Sequence, residues 1–193
     1  MLDPADVPEE ADGASSPRVL FWHVYAVALL ILGLDILTKQ VVFRSLPLGG
    51  PSTPVLGELL RWTYIQNPGA AFGLFQGNRY FFIGVSVLSS IVILALAHSR
   101  RYRDRWTLLA FGLILGGAIG NLLDRLWLGV VIDFIDVGIG RHRWPFFNIA
   151  DSGISVGVVL LALRFLREPG GATERSVDET VAAAERDPSQ LSG

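Results

Sequence analysis

Four stretches of this 193-residue chain are too long and too apolar for a water-soluble domain: Val19 to Phe43, Tyr80 to His98, Trp106 to Leu128 and Ile149 to Leu166. The hydrocarbon core of a bilayer takes about 20 predominantly apolar residues of helix, and each stretch meets that need. Within such a core every backbone N–H and C=O must be satisfied inside the segment, which leaves the α-helix as the way for a single stretch to cross. The expected fold is therefore all-α and integral to a membrane, with four transmembrane helices. The first stretch is read as a retained span. Its apolar run exceeds that of a cleaved leader, and no small-x-small site follows before Asp35 and Lys39.

The polar intervals set the orientation. Ser99 to Arg105 carries Arg100, Arg101, Arg103 and Arg105, and Arg164 and Arg167 close the fourth stretch. Cytoplasmic loops are enriched in Lys and Arg, so this end is expected in the cytoplasm together with both termini. Arg44 to Arg79 and Gly129 to Asn148 then lie outside. In the first of these, Leu59, Leu60, Trp62, Tyr64 and Ile65 precede the turn-like Asn67-Pro68-Gly69. That pattern predicts a small external β-sheet at the membrane surface.

Charge divides the chain in the same places. Residues 18–167 hold seven of the 18 acids and fourteen of the 16 Lys and Arg residues, a net charge of +7. Five acids and no base precede Arg18, and six acids with two arginines follow Arg167. The expected organisation is an acidic tail over 1–17, a membrane domain over 18–167 and a second acidic tail over 168–193, both tails disordered for want of apolar periodicity. The absence of cysteine excludes a disulfide scaffold, a thiolate zinc site and a cysteine nucleophile. Three histidines leave little for a metal centre, and no nucleotide or metalloprotease motif is present. No metal and no cofactor are expected. Membrane lipids are the expected surroundings, and nucleic acid is not an expected partner.

An ionisable side chain inside a membrane span costs at least ~2.5 kcal/mol on insertion scales and marks a candidate functional site. Asp35 and Lys39 lie four apart on one helix face; Asn121, Asp124 and Arg125 fall at i, i+3 and i+4 in the third span; Asn148 and Asp151 open the fourth. Asp133 and Asp136 stand in the short run before it. All of them fall near the external end of their segments. Plainer readings exist for most. Asp35 with Lys39, and Asp124 with Arg125, read as structural ion pairs; Asn121 as an interhelical hydrogen bonder; Asn148 as the N-cap of the fourth helix; Asp136 as solvated surface, like Glu58 and Asp104. Asp133 and Asp151 resist such readings, being set among apolar residues with no adjacent base. Gly112, Gly116 and Gly120 make a close-packing face, as do Gly153 and Gly157. The letters Gly153-Ile154-Ser155-Val156-Gly157 match a serine-hydrolase elbow by chance, inside an apolar helix with no histidine nearby.

Two nearby carboxyl groups cannot both ionise cheaply, so a pair shares a proton near neutral pH. One carboxylate then activates water while its protonated partner polarises a carbonyl and protonates the leaving amine. The helix amino end at Asp151 favours its ionised form, which makes Asp151 the base and Asp133 the acid.

Five ordered blocks carry a resemblance: Asp35-Ile36-Leu37-Thr38-Lys39, Asn67-Pro68-Gly69-Ala70-Ala71-Phe72, Gly116 through Arg125, Val131-Ile132-Asp133-Phe134 and Phe147-Asn148-Ile149-Ala150-Asp151. In order and spacing they resemble bacterial lipoprotein signal peptidase, also called signal peptidase II, over roughly Arg18 to Arg167. The resemblance implies an inner-membrane aspartic endopeptidase that cuts prolipoproteins before a diacylglyceryl-modified cysteine. It implies catalytic Asp133 and Asp151, supported by Asp35, Lys39, Asn67, Asn121, Asp124, Arg125 and Asn148. It further implies a substrate-cradling external sheet, a mobile periplasmic flap over Gly129 to Asn148, and inhibition by globomycin-type cyclic peptides. Ile36 stands where the family usually has Gln, and the acidic tails exceed the family core; neither touches the dyad. Two rival functions remain at this point: a small proton or cation transporter using Asp35, Asp124, Asp133 and Asp151, and a noncatalytic membrane assembly protein built on the glycine faces.

Overall fold

The structure is a computed structural model that describes residues 17–69, 77–99 and 101–167. Both acidic tails lie outside the described residues, as do Arg100 and the Ala70, Ala71 and Phe72 of the second block. Among the described residues four helices are long and apolar enough to cross a membrane: α1 (Pro17–Ser45), α2 (Arg79–His98), α3 (Arg105–Trp127) and α4 (Ile149–Arg167). Their bounds depart from the expected spans by a residue or two. Asp104 starts α3 by accepting the Thr107 amide at 3.0 Å, and Asn78 does the same for α2 through Phe81 at 3.3 Å. Asp104, expected as free surface, is instead a cap that also lies 3.4 Å from Arg164.

α3 is the centre of the bundle. Of its most apolar window 67% is buried, against 22%, 17% and 17% for α1, α2 and α4, whose outward faces carry Leu29, Leu37, Leu88, Ile91, Val159 and Leu166. Such faces are stable only against lipid. The glycines explain why α3 can be surrounded so closely. A Cβ at Gly116 would lie 2.6 Å from the Ala28 carbonyl oxygen of α1, and one at Gly117 would run into the Ala150 carbonyl of α4. Gly153 and Gly157 on α4 reciprocate against Leu113, Ala110 and Ile114 of α3. These are the expected small-residue faces, which let helices touch where no hydrophobic effect drives them together.

A four-stranded antiparallel sheet crosses one end of the bundle in the order β1 (Thr53–Leu56), β2 (Leu60–Asn67), β3 (Val131–Ile139) and β4 (His142–Arg143). The first two strands arise where the sequence suggested them. The other two come from the segment expected to be a flap, which is the first correction. Its run of branched apolar residues makes β3 an inner strand, with Asn67 opposite Val131 and Ile65 opposite Asp133. Phe147 is bound back onto Ile135 by two backbone hydrogen bonds, and the Trp144 N–H donates to the Val137 carbonyl at 2.8 Å, which leaves Pro145 and Phe146 between these ties at the edge of the cavity described below.

Asp136 is the second correction. It is 4% exposed and 2.7 Å from the Arg143 Nε, because the β3–β4 hairpin folds Arg143 back along the strand. Arg143 also donates to the Glu58 and Gly138 carbonyls, fastening the hairpin to the β1–β2 turn.

Candidate active site

Asp35, Lys39, Asn67, Asn121, Asp124, Arg125, Asp133, Asn148 and Asp151 converge where the outer part of α1, the start of α4 and β3 meet, whereas Asp136 is held apart by Arg143. Asn148 is the hub. Its Oδ1 accepts the Asp151 N–H at 2.9 Å while its own N–H is accepted by Asp151 Oδ2 at 3.2 Å, a reciprocal box that starts α4 as expected. Its Nδ2 donates to Asp133 Oδ1 at 2.8 Å, and also lies within reach of Asn121 Oδ1 and the Ile132 carbonyl. One fully buried asparagine thus touches both candidate carboxylates.

The remaining oxygens are held by two further amides. Asn67 donates to Asp133 Oδ2 at 2.8 Å, and Asn121 to Asp151 Oδ1 at 2.7 Å. Each of the four carboxyl oxygens therefore has a neutral N–H partner. Burial and the adjacent Asp151 charge push the Asp133 carboxyl up to about 7, against the opposing hydrogen bonds from Asn67 and Asn148. A carboxyl held there is protonated for much of the time at neutral pH and can serve as an acid.

The other two carboxylates are treated differently. Lys39, 3% exposed, places its Nζ 2.7 Å from Asp35 Oδ2 and 2.9 Å from Asp124 Oδ2. The expected Asp35–Lys39 pair is present. The expected Asp124–Arg125 pair is not, which is the third correction: neighbours on a helix point about 100° apart, so Asp124 turns to Lys39 while Arg125 turns into the cavity. There Arg125 donates to the Asn121 and Gly69 carbonyls and lies 4.8 Å over the Phe82 ring. With one proton on Asp133 and Asp151, the six charged groups of the site sum to −1.

Asp133 and Asp151 line one cavity of about 740 Å³. Asn67, Gly69, Asn121 and Arg125 share its polar end; Phe82, Val85, Ile114, Ile154 and Val156 from α2, α3 and α4 form the apolar remainder, with Trp144 to Phe147 along its edge. An extended peptide and an apolar group can occupy such a space together. Sequence reasoning passed over Phe82, the platform for Arg125, and over the part of Gly120 in the site, where Asp35 occupies its bare face. Gly120 was noticed for its four-residue spacing alone, and a contact to Asp35 leaves no pattern in the chain. Among the described residues no cluster of His, Cys, Asp or Glu is suited to hold a metal ion.

The family profile described as signal peptidase (SPase) II matches residues 27–167. The lipoprotein signal peptidase of Moorella thermoacetica is 45% identical over 145 residues, spanning 75% of this chain and 93% of its own. That of Geobacter metallireducens is 44% identical over 152 residues, 77% of this chain and 91% of its own. A solved structure described as a bacterial membrane enzyme superposes with a TM-score of 0.71 at 31% identity, covering 75% of this chain and 88% of that one.

Proposed function

Because this chain belongs to the signal peptidase II family, a family of proteases, we propose that its cavity is the site at which signal peptides are removed from prolipoproteins, with Asp133 and Asp151 as an aspartic catalytic pair. The observation that carries this reading is the amide-held pair itself: buried Asp133 and half-buried Asp151, joined through Asn148, at the polar end of a cavity with an apolar floor. In this reading Asp151, at the amino end of α4, takes a proton from water as the water oxygen attacks the scissile carbonyl. Protonated Asp133 donates to the carbonyl oxygen. As the tetrahedral species collapses, the C–N bond breaks and the leaving amine takes up a proton from the pair. The products are a signal peptide with a new carboxylate and a lipoprotein with a new amino terminus at its modified cysteine.

The supporting residues fall into two groups under this proposal. Asn67, Asn121 and Asn148 hold the dyad oxygens, and Arg125 with the Gly69 carbonyl faces the substrate backbone. The apolar part of the cavity takes the lipid-bearing side of the substrate and is where globomycin-type inhibitors would compete. The sheet end of the bundle faces outward from an inner membrane in lipid, the arginine-rich end and both termini are cytoplasmic, and residues 18–167 are the peptidase domain. A proton or cation path has no support from the relatives, and the carboxylates gather at one end of the bundle.

The test is cleavage by the purified protein in detergent. A diacylglyceryl-modified prolipoprotein should be cut just before the modified cysteine, as read by mass spectrometry of both products, and globomycin should block the cut. An unmodified precursor cut equally well would remove the lipid from the substrate definition. No cleavage by well-folded protein would sink the proposal.

A further inference from the structure

The Lys39 cluster touches neither carboxyl group of the dyad, yet both of its carboxylates reach the dyad's backbone. Asp35 Oδ1 accepts the N–H of Ala150 at 2.9 Å, and Asp124 Oδ2 accepts the N–H of Ile132 at 3.1 Å. Ala150 immediately precedes Asp151, and Ile132 immediately precedes Asp133. Consecutive Cα atoms across a trans peptide are about 3.8 Å apart, so an amide fixed at either residue fixes the aspartate that follows. Lys39 Nζ joins the two carboxylates from a single atom, at 2.7 and 2.9 Å.

We propose that Asp35, Lys39 and Asp124 form a positioning clamp that sets the separation of Asp133 and Asp151 through the backbone amides of the residues before them. The inference rests on the reading of those two aspartates as the catalytic pair. Two further features support it. The Ala150 N–H lies in the first turn of α4, where helix geometry leaves amides without an internal partner; Asp35 supplies one from α1, 115 positions away. Gly120 keeps the path open, since a Cβ there would lie 2.6 Å from Asp35 Oδ2 and 3.3 Å from the Ala150 Cβ. Lys39 makes a third contact, to Asn121 Oδ1 at 3.3 Å, which turns the Asn121 amide so that its Nδ2 faces Asp151. The cation therefore aligns one dyad partner through a side chain as well as through the backbone.

The clamp is tested with Gly120→Ala, Asp35→Leu and Asp35→Asn in the full-length protein, measuring kcat and KM for a modified prolipoprotein beside the Tm. Gly120→Ala pushes the Asp35 carboxylate off Ala150 without changing any charge. A displacement of order 1 Å costs about 100-fold in rate, so kcat should fall about 100-fold in Gly120→Ala and in Asp35→Leu, with KM within about threefold of wild type. Asp35→Asn, whose amide oxygen can still accept the Ala150 N–H, should retain at least ~10-fold more kcat than Asp35→Leu. The clamp is overturned if Gly120→Ala keeps wild-type kcat, if its loss lies in KM, or if the Asn and Leu variants lose equally. Should Asp35→Leu fail to accumulate, Gly120→Ala decides alone. Failure of the underlying reading looks different, for then Asp133→Asn and Asp151→Asn would still cleave.

Discussion

Two pairs of carboxyl groups meet at the same end of the bundle and are held in opposite ways. Asp35 and Asp124 share the Lys39 ammonium, whereas Asp133 and Asp151 receive hydrogen bonds only from neutral amides of Asn67, Asn121 and Asn148. A cation between two carboxylates ties the two together through charge. Amide donors fix a carboxyl group in place and leave the second site on each oxygen open to a proton or to water. One residue type is thus ion-paired in one place and held by neutral amides in the other, and the difference lies entirely in the partners.

Removing the cation has the largest expected effect. Lys39→Met leaves buried Asp35 facing half-buried Asp124, and loss of one partner from a buried ion pair costs about 3–5 kcal/mol. Membrane accumulation and Tm should both fall sharply; an unchanged Tm would mean the two carboxylates do not need the cation. Asn148→Ala acts on the other pair. Losing the α4 cap should lower stability by about 1 kcal/mol, and losing the amide that steadies Asp133 should lower kcat about 100-fold. Near-normal kcat in a destabilised protein would reduce Asn148 to a cap.

Titration sharpens the contrast at smaller amplitude. The Asp133 carboxyl is pushed from 3.8 to about 7 by burial and by Asp151. Its neutral form stabilises the fold fully below the ordinary carboxylate range, and that contribution is lost as pH rises through about 7. Unfolding measured between pH 5 and 8 should show wild type losing stability with rising pH and Asp133→Asn losing less. Parallel curves would contradict the shifted carboxyl group. The smallest effect belongs to an ion pair outside both clusters: Glu58→Gln, at the exposed partner of Arg61, should change stability by less than about 1 kcal/mol and leave cleavage intact.

The helices were legible because a bilayer imposes length and apolarity residue by residue, and the glycine faces because close packing imposes a spacing. The candidate site was legible for a related reason: polar groups are so costly in spans that Asp35, Asn121 and Asp151 could not be ordinary surface. What escaped was pairing across distance. Asp124 and Arg125 are adjacent in sequence, but helical rotation sends one to Lys39 and the other over Phe82. Asp136 looked solvated because Arg143 returns to it only through a hairpin. The segment expected as a flap became β3 and β4 because its partner strand, β2, lies more than sixty residues earlier.

The most direct test of the central claim is cleavage of a diacylglyceryl-modified prolipoprotein at saturating concentration by Asp133→Asn and Asp151→Asn, each compared with wild type at equal folded amounts. Each variant replaces one exchangeable proton site with an amide of nearly the same shape. Both should accumulate, melt near the wild-type temperature and lose at least ~1000-fold in kcat. Full activity in either one would contradict the assignment of Asp133 and Asp151 as the pair that hydrolyses the bond.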